Sequence, residues 1–472
     1  MNDIDAYLYP VALDASMQSQ VGERIRTFRA TTMDSLLGQL QTPETSARLG
    51  AERASCVQGF INELLELAQH APEQLTELMS HWGSFALLNA ISAPATRVET
   101  QLDNLLGNLQ ALLIGRYLRG QGISPQVRFT TPPRAYDLRR NVLLEVPGAA
   151  AGQKVEWSFS QGSLALRHGD TTLPATALPL GAGGPVSERP LTWSKSWNIP
   201  LIDENALLGI TGTTPQELQK EVADPDFRPL SLHDSAEAAY TIVRDLWPEM
   251  LDWSPQLFTA LVDMNGPPTR HVHRSASYGP GSPIFVTRVD DAFKHAEDIV
   301  HELQHQRMSL IMDTSAFGTW DDPRQIAASP YRSDPRPLRG LHLGIHAFLA
   351  VNRLRLRQHA RAGFPADRFR YMLNAHRTNL FSFRTLLHHE DIREHGRPMF
   401  AEYARELVAQ HELIEPMVTR EQNESFDHHM REHIAAVAGR ASEKLINMSP
   451  EYMDWNETAR LAARYAEKEG VS

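Results

Sequence analysis

A single cysteine, Cys56, stands in a chain of 472 residues, so no intramolecular disulfide can form and no multi-cysteine metal site is available. That fits a reducing compartment. Positive charge is in deficit: 46 Lys and Arg against 57 Asp and Glu leave a net charge of −11. A phosphate backbone would be repelled by such a surface, which argues against a general nucleic-acid partner and leaves a cationic peptide open. Long apolar runs are missing, so no stretch reads as a bilayer span. Acids, among them Asp3 and Asp5, occupy the start of the chain where a signal peptide needs bases. Together these absences predict a cytoplasmic protein with neither membrane nor nucleic acid as partner. No solenoid period recurs. Nothing in the chain fixes an oligomeric state.

What is present is ordinary for a globular protein, 42% hydrophobic and 22% charged residues, in a chain long enough for two or three domains. Residues 1–125 read as a helical region, with periodic apolar positions over Val21–Leu40, Cys56–Leu67, Leu75–Leu88 and Leu102–Leu118 until Gly120 and Gly122 stop the pattern. Residues 126–200 read as β-rich: Val127–Thr130, Val142–Val146, Val155–Phe159 and Ser163–Leu166 have strand character, with Gln161-Gly162 turning the third into the fourth. Trp193 and Trp197 follow, as packing residues or peptide contacts. Ile199–Asn205 reads as an extended linker. Residues 201–472 then read as a mainly helical metal-binding domain, in which Ala236–Trp247 is amphipathic up to Pro248 and Pro283–Thr287 is a short strand. The expected fold is therefore mainly α with a smaller β region.

That short strand leads into the stretch on which the functional reading rests. From Lys294 to Met308 the apolar residues Ala296, Ile299, Val300 and Leu303 recur at helical spacing without Gly or Pro. Within it lies His301-Glu302-Leu303-Gln304-His305, an HExxH motif. Two histidines four apart share one helical face, so both imidazoles can reach one metal ion. Glu302 flanks them as base, outer-layer anchor or ligand. The competing reading is a pair of surface histidines in a chain that has 20.

A metal that performs chemistry usually has three protein ligands and an open position. The expected source of the third is the stretch Tyr331–Val351, extended through Pro335 and Pro337 and then helical. His342 and His346 share a face there, His346 being the first choice and His342 the second. Gly340 and Gly344 leave room for a close neighbour, which the spacing predicts to be another helix, packing the HExxH helix against this one. Arg332, Arg336 and Arg339 lie beside it, and arginine's fork suits a carboxylate. Weaker candidates are His271 with His273, His388-His389-Glu390 with His395, His411, and His428, His429 and His433.

Ser275–Ser277, Pro283–Val286, Val300–His305, Tyr331 with Asp334-Pro335-Arg336-Pro337-Leu338, and Gly340–Val351 resemble, in order and spacing, the HExxH-motif domain found with ribosomally made, modified peptide natural products. The likeness covers roughly residues 200–440. Arg339 stands where that family commonly has Gly, and Arg332 where it has Trp. The resemblance implies an iron(II)- and 2-oxoglutarate-dependent dioxygenase that hydroxylates a side-chain carbon of a ribosomally synthesised precursor peptide. On that reading His301 and His305 hold iron with a third residue, for which His346 rests on the spacing alone, Glu302 orients a ligand or water, and Arg336, Arg339 or Arg332 grips the distal carboxylate of 2-oxoglutarate, Arg336 first. Two other readings use the same residues: a zinc metallopeptidase with Glu302 as base, and a non-catalytic peptide-binding or scaffold protein.

Overall fold

The computed structural model describes residues 15–92, 99–150, 152–179, 184–203, 224–264, 273–314, 326–363, 366–389, 396–442 and 444–469. They are mainly helical, with several small sheets. Two compact units are distinguished: one comprises Gln20–Tyr240 and Pro255–His295, the other Met1–Ser19, Thr241–Ser254 and Ala296–Ser472.

In the first of these, the periodic runs form α1 (Ala15–Leu40), α2 (Pro43–Leu49), α3 (Ala51–His70), α4 (Pro72–Ser80), α5 (Trp82–Ser92) and α6 (Glu99–Tyr117). Thr42 caps α2, its hydroxyl accepting from the Thr45 amide, and Pro43 sits where a helix start tolerates proline. From Leu105 onward α6 is buried on every side, so its polar residues need partners. Strands supply them. Asn108 Oδ1 accepts from the Tyr136 amide at 2.6 Å and Gln110 Oε1 from the Thr130 amide at 2.8 Å. Gly115 lets the same layer close, because a Cβ there would lie 1.9 Å from Asp137 Oδ2.

The expected strands are all found. β1 (Gln126–Thr131), β4 (Val155–Ser160), β5 (Ser163–His168), β6 (Thr171–Thr172) and β7 (Thr176–Ala177) form one antiparallel sheet, with β1 at an edge. β4 alternates buried and half-buried residues, the pattern of a sheet with one face on the core. Gln161 and Gly162 both have positive φ, as a two-residue hairpin of the right twist requires. A second sheet has the order β2 (Arg134–Asp137), β3 (Val142–Glu145), β8 (Ser187–Pro190).

One expectation is corrected here. Ile199–Ile202 is no linker but a fully buried strand, β10, between β9 (Thr192–Ser194) and the parallel β11 (Leu261–Asp263). Next come β13 (Ile284–Val286), parallel to β11, and β12 (Ser275–Ala276). Trp197 is core: it packs edge-on against Tyr240 and Phe258, and its indole donates to the Ala236 carbonyl at 2.9 Å. Trp193 remains 37% exposed.

Asp137 ends β2 with no exposure, and its Oδ2 has no hydrogen-bond partner. Burial lifts its pKa to about 6 in spite of Arg140, Arg139 and Arg119 nearby. A carboxyl whose folded pKa is raised holds its proton longer in the native state, so its contribution favours folding below about pH 4 and is lost as pH rises through about 6. Asp137→Asn is therefore expected to raise stability at pH 7.5 by about 1–2 kcal/mol and to flatten the decline between those pH values. Urea unfolding at pH 4.5 and 7.5 measures both.

Beyond α7 (Leu232–Leu246) and α8 (Glu249–Leu257), the α-helices among the described residues are α9 (Ala292–Thr314), α10 (Leu338–Ala362), α11 (Ala366–His389), α12 (Arg397–Ile414), α13 (Arg420–Ala438) and α14 (Trp455–Lys468). The two residues Ile326–Ala327 (β14) pair with Arg336–Pro337 (β15) just before α10. Proline before the first helical residue explains the boundary. Phe383 stacks on Phe400 at 4.8 Å, and Tyr465 closes on Phe400 at 5.2 Å, joining α11, α12 and α14. Arg377, buried in α11, pairs with Glu415 and bonds Asn423 while lying 5.5 Å over Trp455. Thr419 and Gln422 form a reciprocal capping box at the start of α13. Among the described residues no helix is long and apolar enough to cross a membrane.

Candidate functional site

The HExxH residues lie in the middle of α9, where the helix is continuous from Ala292 to Thr314. Leu303, Met308, Leu310 and Ile311 are buried, and that apolar stripe fixes which way the imidazoles turn. His301 and His305 meet with ring centroids 4.4 Å apart and planes at 89°. His301 also lies edge-on to Phe348 of α10, 4.7 Å between centroids. Phe348 in turn stacks on Tyr331 at 5.0 Å with the rings within 6° of parallel. This aromatic pile packs against the His301 ring and restricts its orientation.

Gly344 makes the pile possible. Its missing side chain is replaced by the Tyr331 ring, whose Cε2 would come within 2.4 Å of a Cβ there. The neighbour that uses the glycine gap is thus a ring from the preceding loop. Gly340 serves a similar purpose for Arg336, whose Cβ would stand 3.2 Å from an added methyl. Tyr331 is anchored at its far end, where the hydroxyl donates to Asn379 Oδ1 at 2.8 Å.

His346 is completely buried one turn beyond His342, which is also buried. A residue that sequence reasoning missed joins them: Arg307, two positions after His305 and 1% exposed. Its guanidinium lies 4.9 Å over the Trp253 ring and its Nη1 stands 3.4 Å from His346 Nε2. A guanidinium can only donate, so Nε2 accepts and the ring proton is assigned to Nδ1. His346 Nδ1 and His305 Nδ1 are both buried without a hydrogen-bond partner. Tyr403 of α12 faces both buried rings, 6.3 Å from His342 and 6.2 Å from His346.

Burial pushes the His305 pKa down to about 4. His346 is pushed well below the usual imidazole value, first by desolvation and then by the positive charge of Arg307, with the Gln304 carbonyl pulling the other way. Both rings are therefore neutral at physiological pH, the form that carries a lone pair for a metal. Glu302 is buried in the same helical turn, at 3% exposure.

The donor chemistry of His301 and His305 fits a borderline divalent metal, and His346 is a further buried, neutral imidazole in electrostatic reach of His305. Among the described residues no group of three His, Cys, Asp or Glu already converges as a metal site. For His346 to ligate, its proton must leave or Arg307 must release Nε2.

The other expected residues are placed as follows. Arg336 pairs with Asp334 at 2.9 Å on a partly exposed surface, Arg332 is exposed, and Arg339 is partly buried at the start of α10. His411 contacts His376 at 3.1 Å and Asn456 at 3.1 Å. His428 and His429 lie against Glu432 on an exposed face, and His433 bonds the Ser329 carbonyl at 2.8 Å. His388 lies 5.7 Å from the Tyr452 ring. His271, Glu390 and His395, and the side chain of His389, fall outside the described residues. His295 is a satisfied core histidine, bonded to Ser235 Oγ at 2.7 Å and to the Thr287 carbonyl at 2.8 Å.

Neither the protein-family models nor the curated proteins compared with this chain gave a match.

Proposed function

We propose that the chain is an iron(II)- and 2-oxoglutarate-dependent dioxygenase that hydroxylates a side-chain carbon of a ribosomally synthesised precursor peptide. The observation that carries the reading is the imidazole pair of α9, its ring centroids 4.4 Å apart, on the same helix as the buried Arg307 that reaches the buried His346 of α10 at 3.4 Å. His301 and His305 would hold the metal, with His346 as the third donor and His342 as its substitute. When bound, iron with 2-oxoglutarate supplies the oxidising chemistry that an unactivated carbon needs.

The chain's own residues account for the rest. Phe348 and Tyr331 hold His301 in one orientation, so little freedom is lost when it binds. Glu302, buried beside the pair, serves as a positioning carboxylate. Arg336 is retained as the carboxylate clamp, and binding there would require it to leave Asp334. Arg307 is a second candidate clamp, a buried guanidinium two positions after His305 whose planar fork suits a carboxylate.

A zinc metallopeptidase shares the motif and the buried Glu302, so one experiment separates the two. Anaerobically purified protein is given iron(II), 2-oxoglutarate and a candidate precursor peptide, and oxygen is then admitted. A peptide gaining the mass of one oxygen atom, with matched consumption of 2-oxoglutarate, is the expected result. Cleavage of the peptide with zinc, independent of oxygen, would establish the peptidase instead.

A further inference from the structure

A cavity of about 640 Å³ opens in the unit that holds Gln20–Tyr240, between α3, α6 and the strands β1, β2 and β3. Leu106, Pro132, Pro133 and Val146 give it mostly apolar walls. Charged groups at its rim are already spent on one another: Lys154 pairs with Glu52 at 2.5 Å, Arg53 with Asp103 at 2.8 Å and Arg134 with Glu145 at 2.8 Å. The cavity therefore offers no uncompensated charge from these six residues to an ionic ligand.

It does offer a donor. Gln110, 3% exposed, is one of the lining residues, and its Oε1 is committed to the Thr130 amide at 2.8 Å. Its Nε2 is buried with no oxygen or nitrogen acceptor, and the Cys56 sulfur beside it is a weak one. An unpaired buried amide N–H is costly, and native interiors seldom keep one without a use. The amide faces Cys56, the chain's single cysteine, which lines the same cavity. Burial pushes the Cys56 thiol up, with the Gln110 contact opposing, so at neutral pH it is a thiol wall and no nucleophile.

We propose that this cavity binds a small uncharged molecule, largely apolar, whose one carbonyl or ether oxygen accepts from Gln110 Nε2. Volume, apolar walls and a buried convergent donor are the features of a small-molecule site, and the paired rim selects against charge. The site is independent of the iron reading and stands whether or not that reading holds.

Nile red, an uncharged dye with a carbonyl oxygen, is the probe, titrated into the full chain by fluorescence. Saturable binding to the wild type is expected, with an anionic dye of similar size bound more weakly. Gln110→Glu keeps the acceptor for the Thr130 amide and removes the donor, so the dye's Kd should rise about tenfold. Ala149→Trp fills the cavity from a surface turn, leaves α6 untouched and should remove saturable binding, with circular dichroism confirming the fold. Unchanged affinity in a folded Ala149→Trp variant, equal binding of the anionic dye, or no saturable binding to the wild type would each overturn the assignment.

Discussion

His301→Ala and His305→Ala are each expected to remove iron retention and to cut peptide hydroxylation by about a thousandfold or more, because one imidazole of a helical pair cannot hold an open-sited metal alone. The melting temperature of the metal-free protein should change little for His301→Ala, whose ring is only partly buried. His346→Ala and His342→Ala then rank the third donor: the true ligand's variant loses iron, the other keeps it. Metal content after anaerobic loading, measured by mass spectrometry, reads all four variants. Should all four retain iron as the wild type does, the imidazoles of α9 would have no part in a metal site.

Gly344→Ala carries the largest expected effect on stability. Glycine inside a helix ordinarily costs about 1 kcal/mol relative to alanine, so the substitution should help by that amount if nothing else opposed it. Here a Cβ would stand 2.4 Å from Tyr331 Cε2 and 2.5 Å from Cδ2. Tyr331 cannot swing aside cheaply, since Phe348 stacks on one face and Asn379 holds its hydroxyl. Overpacking of this kind costs about 1–3 kcal/mol or more and wins over the helix gain. A net loss in denaturant midpoint is expected, accompanied by weaker iron binding because Phe348 no longer seats His301. Equal or higher stability would mean that the aromatic pile is not the support it is taken to be.

Much of this arrangement was legible in the residues. The α9 helix announces itself by a period of 3.6 with no breaker, and β1, β4 and β5 by alternation bounded by turn residues, with Gln161-Gly162 at the two positive-φ positions. Pro335 and Pro337 correctly place the extended segment before α10. Ile199–Ile202 misled because a strand buried on both faces has no alternation to show, and its parallel partner Leu261–Asp263 lies sixty residues on. Ser187–Pro190 went unread for the opposite reason: an exposed edge strand of charges and proline looks like a loop until β3 is beside it.

Arg307 was hidden by the ordinary expectation that arginine faces solvent. Only its position, two after His305 on a helix buried around that turn, could have suggested that it turns inward. The arginines that the sequence does advertise, Arg332 and Arg336, lie nearer the surface. Whether a carboxylate cosubstrate meets Arg336 or Arg307 is decided by comparing Arg336→Leu with Arg307→Leu. The clamp's variant should lose affinity for 2-oxoglutarate by about a hundredfold while keeping its iron.

The proposed iron and 2-oxoglutarate site is tested most directly by equilibrium binding of 2-oxoglutarate to the anaerobic protein with and without iron(II), in the wild type and in His301→Ala. Saturable binding that requires iron and disappears in the variant is the expected result. Binding indifferent to iron, or identical in His301→Ala, would contradict it.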